Sequence, residues 1–333
     1  MKTNGMRRVS VAALTLFLIV VTLNCIMMVS PPSHQHHHDS PALVVKMCTG
    51  GCGIGNQLFV YASGLGLALQ NPEIPACVSG MESTANPVHP QSILSFHVDI
   101  ATTTPLEPCT RETTGEAGYF MWWLFGHKIT AFLGLIDLFQ PPHTLYEPFH
   151  FKGGKTTIID GNLESYKYFQ DVPRPIFKLP KYRAAQKWLL RRGLTSVVHV
   201  RRGDRLLSCD EMPAAPLSFY EDAFKLLKSN RVAVCTDDAP WVLSQEIFRN
   251  ASVSINHTSG FDMALLAAAT ETVVFGVGTF GWWGAYLSKA KRKIFYPLQF
   301  RGESAAASYR ESDFIPYNVS GQGEWISLLA LIK

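Results

Sequence analysis

Through the second half of the chain, short runs of β-branched and apolar residues alternate with segments whose apolar positions recur every three or four residues. The runs at 195–201, 231–235, 251–255, 271–276 and 292–296 read as buried strands. The segments at 181–191, 216–229, 240–249, 260–269 and 279–290 read as helices. Such alternation implies βαβ units on a parallel sheet, so this half reads as Rossmann-like. The first half is less regular. Residues 42–47 read as a strand, T-G-G-C-G-I-G-N-Q as a glycine-rich turn and L-F-V-Y-A-S-G-L-G-L-A-L-Q as a helix, with another strand at 156–161. Residues 72–118 carry no assignable pattern. The apolar stretch 119–140 reads as buried helices, since Lys128 and Asp137 would be costly in lipid. Prolines make 171–180 a linker.

One apolar run stands apart. Residues 9–29 hold no charge and are long enough to span a bilayer. Lys2, Arg7 and Arg8 precede the run, and no basic residue follows until Lys46. The positive-inside rule then leaves residues 1–8 as a cytosolic tail and puts everything after residue 30 on the luminal side. The rival reading is a cleaved signal peptide, but the run is long for one and lacks a nearby small-x-small site. Residues 30–41, rich in proline and histidine, read as a solvated stem.

Two further features fit a luminal address. Six of the seven cysteines, Cys48, Cys52, Cys77, Cys109, Cys209 and Cys235, lie beyond the run, where disulfides can form, and their connectivity stays open. Sequons occur at Asn250, Asn256 and Asn318. The net charge of +4 is mild, and no basic block of the nucleic-acid-binding kind is present.

Candidate chemistry gathers at strand ends. H-V-R-R-G-D puts Arg201 and Arg202 at the carboxyl end of a buried strand, where ligands bind in open α/β sheets. His199 and Arg201 share one face of that strand and Arg202 points to the other. One arginine is therefore expected to meet a ligand, best a pair of phosphates, while its neighbour holds the loop. Local ion pairing with Asp204, Asp210 or Glu211 is the bland alternative. Asp237 and Asp238 follow another strand, where they either cap a helix or accept from a guanine or ribose. In G-T-F-G-W-W, Thr279, Phe280 and Gly281 open a helix whose N-terminus suits a phosphate, while Trp282 and Trp283 read as core. Asn56 and Gln57 in the glycine turn either cap their helix or bind a sugar or phosphate.

Together these motifs resemble the α-1,2-fucosyltransferases of glycosyltransferase family 11 over roughly residues 43–300. The matching stretches are G-x-G-N-Q at Gly53–Gln57, G-x-x-x-S-x-x-Y-F at Gly161–Phe169, H-V-R-R-G-D at His199–Asp204, T-D-D-x-x-W at Thr236–Trp241, and D-x-A-L-L…G-T-F-G-W-W from Asp262 to Trp283. Arg205 departs from the tyrosine usual after R-R-G-D, and the glycine turn carries an extra residue.

The resemblance implies an α/β fold of GT-B type, two Rossmann-like domains facing a cleft, behind an N-terminal transmembrane helix at 9–29. Residues 42–172 would form the acceptor-side domain and 181–333 the GDP-fucose-binding domain. GDP-fucose would be the donor and a terminal β-galactoside the acceptor, with inversion. Arg201 would be catalytic, and Asn56, His199, Arg202, Asp237, Asp238, Thr279, Phe280 and Gly281 would bind the donor. Asp204 is a candidate base, though pairing with arginine weakens it as one. The sequence holds no D-x-D, so no metal and no cofactor are expected. The anchor and stem resemble those of Golgi enzymes. Fucosyltransferases of other linkage and an inactive sugar-binding member are the alternatives.

Overall fold

The computed structural model describes residues 41–47, 52–79, 99–109, 136–141, 146–206, 214–229, 231–276, 278–296 and 314–316, with isolated positions 128 and 131. The 9–29 run, the 30–41 stem apart from Pro41, most of 119–140, Cys48, Cys209 and Asn318 lie outside them. Among the described residues no helix is long and apolar enough to cross a membrane.

The first described element is β1 (Leu43–Lys46), and the next is α1 (Ile54–Gln70), with Gly53 as its N-cap. Then follow β2 (Ala76–Ser79), β3 (Asp99–Ile100), β4 (Glu107–Pro108), β5 (Asp137–Phe139) and β6 (Thr157–Ile159). Strands β1, β2, β4, β5 and β6 form a parallel sheet in the order β4-β2-β1-β6-β5. β7 (Phe177–Lys178) lies in the proline-rich segment and pairs antiparallel with β3. It buries Ile176 and Phe177, so this segment is a packed connection rather than a free linker. Within the expected helical stretch 119–140, residues 137–139 are strand. A short apolar run reads either way from periodicity, and pairing with Thr157–Ile159 decides it.

The second half runs α2 (Tyr182–Arg192), β8 (Ser196–Val200), α3 (Leu217–Lys225), β9 (Ala233–Thr236), α4 (Ala239–Ser244), β10 (Ser252–Ser254), α5 (Ser259–Ala268), β11 (Thr272–Phe275), α6 (Thr279–Leu287), β12 (Arg292–Phe295) and β13 (Phe314–Pro316). The six strands are all parallel, in the order β10-β9-β8-β11-β12-β13. The order reverses on either side of β8, which makes its carboxyl end the topological switch point. Helix α4 is shorter than expected. Ser244 Oγ and Gln245 Nε2 both donate to the Trp241 carbonyl, and a 3-10 turn at Glu246–Phe248 follows.

β8 is buried over its whole length, which suits its three valines, Val197, Val198 and Val200. Val198 and Val200 face one apolar cluster, with Phe219, Tyr220, Phe224 and Phe248. Val197 faces the other, which is continuous from β1 and α1 through to α6. In that core Trp282 and Trp283 are fully buried, and the Phe59 ring lies 4.6 and 5.2 Å from theirs. The aromatic pair of G-T-F-G-W-W is therefore packing that ties α1 to α6.

Candidate active site

Arg201 and Arg202 leave β8 in different directions. The Arg202 backbone N–H donates to Asp237 Oδ1 at 2.8 Å, and its Nε donates to Asp238 Oδ2 at 3.2 Å. Its guanidinium sits 3.9 Å over the Trp241 ring. Asp238 also caps α4, accepting from the Trp241 N–H at 3.1 Å. The T-D-D-x-x-W stretch thus clamps Arg202 between a carboxylate and an indole face. Spacing alone reveals neither the stacking role of Trp241 nor the double duty of Asp238.

Arg201 is held differently. Its Nε and Nη2 donate side-on to both oxygens of Asp204, at 3.2 and 2.8 Å. That leaves the Nη1 end of the fork without a partner among the described residues. This end approaches Gly278, where an added Cβ would lie 3.7 Å from Nη1. Gly278 is the N-cap of α6 with φ of +125°, a conformation that L side chains rarely adopt. No side chain caps α6, and its first turn holds no acid. Its free N–H groups and positive dipole end therefore stand beside Arg201.

A second helix N-terminus meets the first. α1 begins at Gly53, also with no side-chain cap and no acid in its first turn. Thr279 Oγ1 donates to Asn56 Oδ1 across the junction. A Cβ on Gly55 would come within 2.5 Å of Thr279 Oγ1 and 2.6 Å of the Phe280 nitrogen. Only glycine there allows the two helix ends to touch.

His199 closes the inner wall. It is buried and lies 5.2 Å from the Phe280 ring, centroid to centroid. Burial lowers its pKa to about 4, with Asp237 opposing and Arg201 adding to the effect. The imidazole is therefore neutral at physiological pH. Its Nδ1 is buried without a partner, and a Cβ on Gly281 would press within 2.8 Å of it.

Asn56, His199, Arg201, Thr279, Phe280 and Gly281 therefore converge. Arg202, Asp237 and Asp238 brace the adjoining loop, with Asp237 exposed beside Gly203. Asp204 serves Arg201 with both oxygens, which favours a positioning role over that of a base. Asn250 and Asn256 are both exposed, on the loops that flank β10, and Asn256 takes a left-handed φ of 61°.

Sequence reading passed over two groups. After β6, Lys46 pairs with Asp160 at 3.2 Å, and Asn162 Nδ2 donates to the buried Glu164 at 3.2 Å. Between them Leu163 takes a left-handed φ of 49°, its carbonyl accepting from Ser63 Oγ. Near the second sheet, burial raises the Asp262 carboxyl to about 6, while a 2.5 Å hydrogen bond from Ser254 Oγ acts against it. The motif D-x-A-L-L had marked Asp262 without a role. Cys77 and Cys109 are disulfide-bonded, as is Cys52, while Cys235 is free and buried.

A curated relative, a galactoside 2-alpha-L-fucosyltransferase of Caenorhabditis elegans, is 26% identical over 191 residues. That match covers 50% of this chain and 53% of the relative, about half the length of each. Among solved structures, the fucosyltransferase NodZ from Bradyrhizobium is 18% identical, with coverage of 79% of this chain and 97% of its own at a TM-score of 0.47. POFUT1 in complex with GDP is 10% identical, with coverage of 77% and 98% at a TM-score of 0.41. Residues 172–310, which include β8, the clamp on Arg202 and the start of α6, match the model of Glycosyl transferase family 11.

Proposed function

We propose that the protein is an inverting fucosyltransferase of GT-B type that moves L-fucose from GDP-fucose to the 2-hydroxyl of a terminal β-galactoside. The observation that carries this reading is the free end of Arg201, which lies against the N-terminus of α6 where that uncapped helix end meets the uncapped start of α1. Such a junction suits a diphosphate. In transfer, the acceptor oxygen bonds to the anomeric carbon as the bond from that carbon to the β-phosphate oxygen breaks, and the acceptor hydroxyl gives up its proton to water. Negative charge then grows on the departing GDP, and Arg201 is already in place to meet it. Asp204 fixes the guanidinium plane, so little reorganisation is needed as the charge develops.

In this reading Thr279 and the first N–H groups of α6 hold the same phosphates, with Asn56 reaching them from α1. Neutral His199 supplies a hydrogen-bonding wall. Asp237 and Asp238 complete the donor side, the latter through Arg202. The polar groups after β6, Asp160, Asn162 and Glu164, are suited to acceptor hydroxyls. Arginine takes the place of a metal ion, so transfer needs none.

We further infer a type II Golgi membrane protein with its catalytic body in the lumen. The uncharged 9–29 run, the paired cysteines and the exposed positions of Asn250 and Asn256 support this reading, and Asn318 is the third sequon. The test is transfer of labelled fucose from GDP-fucose to a panel of galactosides, with the linkage of the product determined. A 2-linked fucosyl-galactoside supports the proposal. A product of another linkage, or none, contradicts it.

A further inference from the structure

An open groove of about 390 Å³ lies between α3 and the 3-10 turn at Glu246–Phe248. None of its residues enters the proposed transfer. Phe224, which is buried, and Ile247, which is half-buried, make its floor. The Phe224 ring stands 5.5 Å from that of Phe248, centroid to centroid, so the floor belongs to the packed core under β8. Glu221, Lys225, Glu246 and Arg249 are exposed and form the rim.

The chemistry of this lining favours a neutral sugar. Two carboxylates and two cations leave the rim without net charge, and Arg249 already pairs with Glu246 and Lys225 with Asp222. Such a rim selects neither an anion nor a cation, but it offers donors and acceptors to hydroxyl groups. The apolar floor suits a pyranose C–H face or an N-acetyl methyl. The volume falls at the small end of the range for small-molecule sites, about 300–1,000 Å³.

The groove also has a built-in source of sugar. Asn250 lines it and heads the sequon Asn250-Ala251-Ser252. The backbone around Asn250 is fixed. The Arg249 N–H donates to the Glu246 carbonyl at 3.1 Å, the Ala251 N–H to the Phe248 carbonyl at 2.8 Å, and the Ser252 N–H to the Val232 carbonyl at 2.8 Å. A sugar on the Asn250 side chain therefore starts at the groove, and tethering lets a weak contact stay filled. Asn256, the other described sequon, does not line it.

We propose that the groove seats the first N-acetylglucosamine of an N-glycan on Asn250, which braces α3 against the 3-10 turn. The proposal rests on the luminal reading. Attachment joins Asn250 Nδ2 to the anomeric carbon of a lipid-diphosphate-linked oligosaccharide, as Nδ2 gives up a proton and the lipid diphosphate leaves. Bracing matters to the site because Phe219 and Tyr220 of α3 pack with Val198 and Val200 of β8.

The test uses the full chain from cells whose N-glycans stay of the mannose type. Glycopeptide mass spectrometry reads occupancy, and hydrogen exchange reads residues 217–225 and 245–251. Trimming to a single N-acetylglucosamine with endoglycosidase H should leave exchange unchanged. Ser252→Ala removes the sequon but keeps Asn250, and should speed exchange there roughly fivefold and lower the melting temperature by about 2–4 °C. Ser252→Thr, which keeps the sequon, and Asn256→Gln should change neither. In Ile247→Ser the glycan should no longer alter exchange. An unmodified Asn250 beside a glycosylated Asn256 or Asn318 would overturn the proposal alone, whereas three bare sequons would overturn the luminal reading with it. Equal exchange with and without sugar on Asn250, or protection lost on trimming to the first sugar, would also overturn it.

Discussion

The hydroxyl of Thr279 donates to the side-chain oxygen of Asn56, joining two residues 223 positions apart in the chain. Each stands in the first turn of its helix, α6 and α1. The bond therefore locks two positive helix ends against each other beside Arg201. The aromatic packing of Phe59 on Trp282 and Trp283 backs this junction from within.

Gly55→Ala should break the junction. Its Cβ would meet the Thr279 hydroxyl at 2.5 Å and, at 2.6 Å, the Phe280 nitrogen and Thr279 carbonyl carbon, backbone atoms that cannot swing aside. Overpacking of this kind costs about 1–3 kcal/mol, so the melting temperature should fall and binding of GDP should weaken with it. Calorimetry with and without GDP reads both. An unchanged melt and unchanged GDP affinity would mean that the helix ends need not touch.

Asp204 separates a positioning role from a basic one. Asp204→Asn keeps one oxygen for Arg201 but loses the charge-assisted pair, so turnover should drop while the acceptor KM holds. The loss should be the same across the pH range, because the residue takes no proton. If Asp204 is instead the base, the variant should lose the acid limb of the pH–rate profile. The profile of kcat against pH for both proteins decides.

Asp262 should make stability depend on pH. Its carboxyl is raised from 3.8 to about 6 by burial, so the folded protein keeps a proton that the unfolded chain releases. That contribution is full below about pH 4 and lost as pH rises through about 6, an effect on the order of 3 kcal/mol. Asp262→Asn cannot ionise and can still accept from Ser254. The variant should therefore match the wild type at pH 4 and melt higher at pH 8. Parallel melting curves across pH would count against a protonated native Asp262.

Transfer should survive chelation. Arg201 and the two helix ends supply the positive charge that a metal would otherwise bring. Activity lost in EDTA and restored by manganese would place the diphosphate elsewhere.

Much of this arrangement is legible along the chain, and the rest is not for identifiable reasons. The β-branched run of β8 and its abrupt arginines announce a buried strand with a ligand end, because both signals are local. The split between Arg201 and Arg202 follows from the period of a strand. The contact of Asn56 with Thr279 is not local, and no spacing rule links a glycine turn to a helix so far away in sequence. Trp241 looks like any core tryptophan until Arg202 is seen beneath it. Strand β5 hides in an apolar stretch whose pattern serves a helix equally well. Glu164 and Asp262 show their burial only once the sheets are assembled.

The central claim rests on Arg201, and single-turnover transfer from GDP-fucose to a galactoside tests it most directly. Arg201→Ala, shown to be folded by circular dichroism, should lower the transfer rate by on the order of 10²–10³, as for loss of one transition-state donor. Arg201→Lys should recover little, since a point charge reproduces neither the side-on pair with Asp204 nor the free end of the fork. A folded Arg201→Ala protein that forms 2-linked fucosyl-galactoside at near the wild-type rate would contradict the account.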